Sequence, residues 1–155
     1  MMQTEKCTYV EDLINDPNFN TDEYYGYVYM TTNLETSRQY IGKKIFKHTQ
    51  NKKLGKKELA ALPTQRGRVP SKKKIVKESD WKTYYGSADE VKQWVKTVPA
   101  DKLTRVVLRL CKSSKELTYY ETKYLFDNNV LSDDKRWVNN NILGKFYPKD
   151  LAPQI

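Results

Sequence analysis

The chain has 155 residues, 28 Lys and Arg against 19 Asp and Glu, and a formal net charge of +9 with a pI near 9.4. That length suits one domain with its own core rather than a stapled mini-protein. A mean hydropathy of −0.84 and no apolar run near ~18 residues exclude a membrane-spanning helix. The opening MMQTEKCTYVED turns acidic where a secretion signal would turn apolar, so the expected setting is the cytoplasm. The isolated Cys7 and Cys111 are expected as reduced thiols, with no zinc cluster or disulfide framework.

Residues 1–23 form an acidic lead, with a short helix expected over Val10–Asn15 and ended by Asp16-Pro17. Tyr24 to Thr32 is aromatic and β-branched, the composition of a strand, and Thr32–Ser37 is turn material. Gln39–Phe46 reads as the returning strand. Period-two alternation puts Tyr25, Tyr27 and Tyr29 on one face, where cross-strand packing is their ordinary use.

The charge is concentrated in the segment that follows. From Lys43 to Lys77 there are 13 basic residues and one acid, Glu58, a net +12 that leaves the rest of the chain at −3. Like charges this dense repel one another unless a polyanion neutralises them, which points to nucleic acid. A merely solvating loop is the plain alternative, and an anionic membrane surface would require an apolar face that the run lacks. Within it Lys53–Leu62 suits a short helix stopped by Pro63, and the remainder, with Gly67, Pro70 and three successive lysines, reads as a mobile loop.

Regular structure returns at Ser79–Ser87. Ser87 is expected to cap a helix over Ala88–Thr97, with Asp89 and Glu90 in its first turn and Pro99 beyond its end. Thr104–Cys111 is the best strand and is expected to be central. Ser113-Ser114-Lys115-Glu116 fits a capping box, opening a helix through Phe126. At about 100° per residue, Glu121 falls inside the stripe of Leu117, Tyr120, Tyr124 and Leu125. A carboxylate on a core-facing stripe needs a partner, either a Lys or Arg or a metal ion, because desolvation costs several kcal/mol. The chain ends with an Asn-rich stretch, Trp137–Phe146, and a tail over 148–155.

Taken in order, these residues resemble the GIY-YIG nuclease superfamily. Its first motif stands here as Tyr27-Val28-Tyr29, with Tyr27 where the family has glycine. Its second, Tyr40-Ile41-Gly42, is intact, with ten residues between Tyr29 and Tyr40. The run Glu78-Ser79-Asp80-Trp81-Lys82, then Tyr84-Tyr85-Gly86-Ser87, Glu116–Glu121 and Asn139-x-Asn141-Ile142 are similar to a phage-encoded, SegE-like group related to homing endonucleases. The resemblance covers 24–147 and implies an α+β domain, a three-stranded antiparallel sheet flanked by helices, with the basic insertion 43–78 after the second strand.

It also implies a DNA endonuclease that hydrolyses phosphodiester bonds with one Mg²⁺ (or Mn²⁺), in the cytoplasm of a phage-infected bacterial cell. Glu121 matches the family's metal-binding glutamate. Tyr29 and Tyr40 match the tyrosines beside the scissile phosphate, and Asn139 matches the supporting asparagine, with Asn141 nearly as good. The family's arginine is missing at its usual spacing, which leaves Lys43, Lys44 and Lys82 as phosphate ligands, with Tyr85 near Lys82. Lys44-x3-His48 imitates a family pattern but starts too soon after Gly42. Lys47, His48, Lys52, Lys53, Lys56, Lys57, Arg66, Arg68, Lys72, Lys73 and Lys74 are the expected DNA grip.

The chemistry agrees with those residue types. Cleavage builds charge on a phosphate already negative, so a divalent cation and a Lys or Arg belong nearby. Mg²⁺ takes hard oxygen ligands and keeps most of its waters, so one glutamate can suffice. A tyrosine near its ordinary pKa of ~10 is a poor base at neutral pH, and Tyr40, followed by two lysines, is the better candidate for activation. A binding module without catalysis, or a basic loop docking on an acidic protein, would use the same charge but have no need of Glu121. One active site cuts one strand, so double-strand cleavage needs a dimer or two events.

Overall fold

The computed structural model describes residues 8–53, 55–60 and 72–152. The chain divides into two units, residues 1–46 with 80–155, and residues 47–79.

In the first unit the tyrosine-rich segment forms β2 (Gly26–Asn33) and pairs with β3 (Arg38–Ile45) as a hairpin, Tyr29 opposite Gly42 and Thr31 opposite Tyr40. Ser37 closes the turn in the left-handed region, at φ 64°, its N–H donating to Asn33 O at 2.8 Å. On the other side β2 pairs with β6 (Leu103–Cys111), with a register shift between Val28 and Tyr29. The three expected strands are present, and a fourth, β1 (Thr8–Tyr9), joins the far edge of β6. The order is β1-β6-β2-β3, antiparallel throughout, so β6 is central and β3 is an edge.

Period-two alternation then sorts the core. Val28, Ile41 and Cys111 point to one face, under Leu117 and Leu125 of helix α4 (Ser114–Asp127). Tyr27, Tyr29 and Phe46 point to the other, with Trp81 and with Val10 of helix α1 (Val10–Asn15), whose bounds are those expected. Trp81 is the anchor there, 4.9 Å edge-on from Phe46. Each such aromatic contributes about 1.5–3 kcal/mol by burial. Tyr25 precedes β2 and is exposed, so the expected row of three tyrosines is a buried pair. Cys111 is a buried free thiol, while Cys7 lies outside the described residues.

Arg105 is 3 % exposed yet satisfied: Nη2 donates to Glu11 at 2.7 Å, Nη1 to Tyr84 O at 3.0 Å, and the guanidinium lies 4.2 Å from the Tyr85 ring. It ties α1, β6 and the 81–85 segment together. Helix α3 (Asp89–Thr97) packs Val91 and Trp94 against Leu103. Its N-cap is Ala88, with no side-chain cap, so Ser87 does not hold the position expected of it. Ser113 does, accepting from the Glu116 N–H at 3.1 Å.

The second unit corrects the expectation of a loop. β4 (Lys47–Lys53) and β5 (Lys72–Glu78) pair as an antiparallel ribbon, from Lys47 opposite Glu78 to Lys53 opposite Lys72. The short helix α2 (Lys56–Ala60) occupies part of the expected Lys53–Leu62 helix. Charge masked the strand pattern: the β-branched residues Thr49, Ile75 and Val76 are scattered among lysines. Pro63, Arg66 and Arg68 lie outside the described residues. Among the described residues no helix is long and apolar enough to cross a membrane.

Candidate active site

As an edge strand, β3 turns every second backbone N–H and C=O away from its partner, and those groups must be satisfied elsewhere. Two successive positions are, and the third faces a carboxylate. At Gln39 the chain itself adds a bridge: Gln39 N–H donates to Arg136 O at 2.7 Å, and Val138 N–H donates to Gln39 O at 2.9 Å. At Ile41 the Asn139 amide does both jobs, Oδ1 accepting from Ile41 N–H at 3.0 Å and Nδ2 donating to Ile41 O at 2.8 Å. At Lys43 the backbone faces the Glu121 carboxylate and helps to pull its pKa down. The strand that carries Tyr40-Ile41-Gly42 therefore meets Asn139 and Glu121 in sequence along its free edge.

A cleft of about 750 Å³ opens there, lined by Tyr40, Lys43, Ser87, Glu121, Asn139, Asn140 and Asn141 among others. Four of the eight expected catalytic residues line it: Tyr40, Lys43, Glu121 and Asn139. Lys43 also donates to Thr118 Oγ1 at 3.0 Å, one turn before Glu121 on α4. Burial pushes the Glu121 carboxyl above its ordinary 4.5, while the charge of Lys43 and its backbone pull it down. The inward carboxylate thus lies in the field of the Lys43 charge and backbone, with oxygens left for a hard cation.

Tyr40 reaches the cleft from the opposite sheet face, its hydroxyl sharing a hydrogen bond with Ser87 Oγ at 2.9 Å. Burial raises its pKa, the Ser87 bond lowers it, and the charge of Glu121 raises it further. Tyr29 lies behind it, 1 % exposed, ring centroids 6.3 Å apart. Burial first, then its neighbouring tyrosines and Glu121, push the Tyr29 hydroxyl far above the ordinary 10.0. Two glycines make room for these rings. A Cβ on Gly42 would stand 2.4 Å from the Tyr29 hydroxyl, and one on Gly86, at φ 154°, would stand 2.9 Å from the Tyr40 ring.

Lys44, Lys82 and Tyr85 lie outside this cleft. Alternation along β3 sends Lys44 to the face opposite Lys43, where it pairs with Asp80 at 2.5 Å and sits 3.9 Å over the Tyr84 ring. Lys82 is exposed, 5.9 Å over Trp81, and Tyr85 is engaged by Arg105, its carbonyl accepting from Thr31 at 2.5 Å. Lys47, His48, Lys52, Lys53, Lys72, Lys73 and Lys74 belong to the β4–β5 ribbon, and Lys56 and Lys57 to α2.

Sequence reasoning missed Ser87 as the partner of Tyr40, and the pair of Arg38 and Glu90. Arg38 Nε donates to Glu90 at 2.6 Å and Nη2 at 3.0 Å, pinning the first turn of α3 beside the cleft. Nothing periodic links residues 47 or 52 positions apart. Among the described residues no three His, Cys, Asp or Glu are grouped to hold a metal. One carboxylate with neighbouring amide and hydroxyl oxygens fits Mg²⁺ or Mn²⁺ keeping its waters, and does not fit a zinc cage.

A family model described as "Putative endonuclease segE, GIY-YIG domain" matches residues 9–142, from the end of β1 to the Asn-rich stretch. No curated protein and no solved structure matches the chain. With both tyrosine motifs paired across one hairpin and the helix carrying Glu121 within the matched span, the chain belongs to the segE-type GIY-YIG endonuclease family.

Proposed function

We propose that this domain hydrolyses DNA phosphodiester bonds at the free edge of β3, with one divalent cation, Mg²⁺ or Mn²⁺, held by Glu121. The observation that supports this most is the convergence of Tyr40, Lys43, Glu121 and Asn139 on one cleft. A bound divalent cation supplies charge neutralisation for the phosphate and lowers the pKa of water. The chain's own residues do the rest. Lys43 presents its ammonium to a phosphate oxygen while its backbone faces Glu121. Tyr40, once its hydroxyl has lost its own proton to solvent, takes the proton of the attacking water as the phenolate, oriented by Ser87. Tyr29, out of reach of solvent, fixes the Tyr40 ring from behind. Asn139 locks the backbone between Tyr40 and Gly42 and so the spacing of the whole edge. Lys43 stands in for the family's arginine.

A DNA-binding module with weak or no catalysis is the second reading. What favours it is that no arginine lines the cleft among the described residues. Supercoiled plasmid with Mg²⁺ separates the two. Nicking or linearisation that is lost in Glu121→Ala supports the nuclease. Equal activity in Glu121→Ala sinks the metal site, and salt-sensitive binding without cleavage by the intact chain favours the binder.

A further inference from the structure

We propose that the β4–β5 hairpin is a reading ribbon for the major groove of duplex DNA, with Thr49 and Val76 as its base-contacting pair and the flanking lysines on phosphates. This rests on the reading of DNA as the substrate and adds to it a means of sequence recognition.

The register is the first argument. The two strands, paired in register from Lys47 opposite Glu78 to Lys53 opposite Lys72, carry seven lysines and one acid, Glu78, in sequence. Like charges this dense repel one another, and two strands form a small sheet. A polyanion along its length relieves that repulsion. Its dimensions select the groove. Seven residues per strand run about 24 Å, and two strands about 4.8 Å apart with their side chains fill a groove about 12 Å wide, not one of about 6 Å.

The pattern along the ribbon is the second argument. Two successive pairs near its middle, Thr49 with Val76 and Gln50 with Ile75, carry no ionisable group. Val76 is 62 % exposed, an apolar side chain set out in solvent among lysines. Thr49 is exposed beside it, whereas Ile75 in the other uncharged pair is half-buried, so Thr49 and Val76 are the uncharged pair with both members exposed. Alternation puts Lys74 on that same face one step to one side, and the pair Lys47 opposite Glu78 one step to the other. An uncharged pair with the exposed Lys74 beside it suits base edges next to a phosphate. The thymine 5-methyl is the apolar feature that the major groove offers to a valine, and a threonine hydroxyl can donate or accept beside it.

The test uses the full chain as Glu121→Ala in EDTA, so that cleavage plays no part. Duplexes selected from a random pool are expected to contain thymine at a fixed position, with guanine N7 protected from dimethyl sulfate in the major groove. Replacing thymine by uracil in the selected duplex is expected to weaken binding about three- to fivefold, the worth of one buried methyl. In Val76→Ala that sensitivity falls below about twofold. Val76→Thr, which keeps the β-branched shape of a strand residue, reduces it in part with the salt slope unchanged. Lys74→Ala weakens all duplexes alike and reduces the log–log salt slope by about 0.9. Protection confined to adenine N3 in the minor groove, indifference of the intact ribbon to uracil, absence of any selected sequence, or salt-insensitive binding would each overturn the proposal. Plasmid nicking by the wild-type chain without such binding leaves the nuclease standing and removes the ribbon. Ribbon binding without nicking does the reverse.

Discussion

The side chain of Asn139 brackets the backbone of Ile41, accepting from its N–H at 3.0 Å and donating to its carbonyl at 2.8 Å. An amide placed this way imitates a neighbouring strand and finishes the edge of the sheet between the second motif's tyrosine and its glycine. Asn139→Ala leaves two part-buried backbone groups without partners, at about 1–3 kcal/mol. A loss of several degrees in the melting temperature is expected. Asn139→Asp keeps the acceptor, removes the donor and faces the Ile41 carbonyl with an anion, so it melts no higher than the alanine variant. Melting curves unchanged in both would show that the edge does not depend on this bracket.

Gly42 is required by space. The nearest atom to a Cβ there would be the Tyr29 hydroxyl oxygen at 2.4 Å, then the ring carbon that bears it at 2.7 Å. Both rings are packed and cannot swing clear, so Gly42→Ala is expected to cost about 1–3 kcal/mol by overpacking. Adding Tyr29→Phe removes the nearest atom but not the next, so the double variant should regain only part of the loss. Thermal or urea unfolding of the two variants measures this, and full additivity of the two changes would contradict the contact.

Much of this arrangement was legible because it is local. The bounds of α1, the Ser113 cap of α4, the hairpin that pairs the two tyrosine motifs and the inward stripe position of Glu121 follow from composition and periodicity within a dozen residues. What stayed hidden depends on distant partners. Lys43 and Lys44 are indistinguishable by type, and only the register of β3 sends one to Glu121 and the other to Asp80. Ser87 carries every mark of a helix cap, yet its hydroxyl goes to Tyr40, which no local pattern encodes. The fourth strand has two residues, too few to show alternation. The ribbon was hidden because its lysines outweigh its β-branched residues in any composition window.

Glu121 trades stability for function. Its carboxyl is raised in the folded state, mainly by burial, so folding favours the protonated form. The sign follows: the stability it contributes is present below the unfolded value and is lost as pH rises through the raised folded value. Glu121→Gln, which keeps the shape of the side chain without its charge, is therefore expected to melt higher than wild type at neutral pH. The difference closes as pH falls below the ordinary carboxyl value. The same variant loses cleavage. Lys43→Met removes the charge that holds the carboxyl down, so the acid limb of the cleavage profile moves to higher pH. Melting curves across pH for the first variant, and nicking rates across pH for the second, check both signs.

The two tyrosines separate by exposure. Tyr29 is buried, its hydroxyl held far above the ordinary range by burial, which disfavours it as the base. Tyr40 lines the cleft, and although burial raises it too, the Ser87 hydrogen bond works in the opposite direction. If Tyr40 takes the proton, the fraction ready to do so grows with pH all the way to its raised value, so the nicking rate climbs without a plateau below about pH 10. Ser87→Ala removes the contact that lowers that value, and at any pH below it the rate falls while the climb persists. Tyr29→Phe lowers the rate by loosening the ring behind Tyr40 and leaves the slope in place. Tyr40→Phe abolishes the slope. A Tyr40→Phe enzyme that still climbs with pH as steeply as wild type would move the proton transfer from this hydroxyl to water itself.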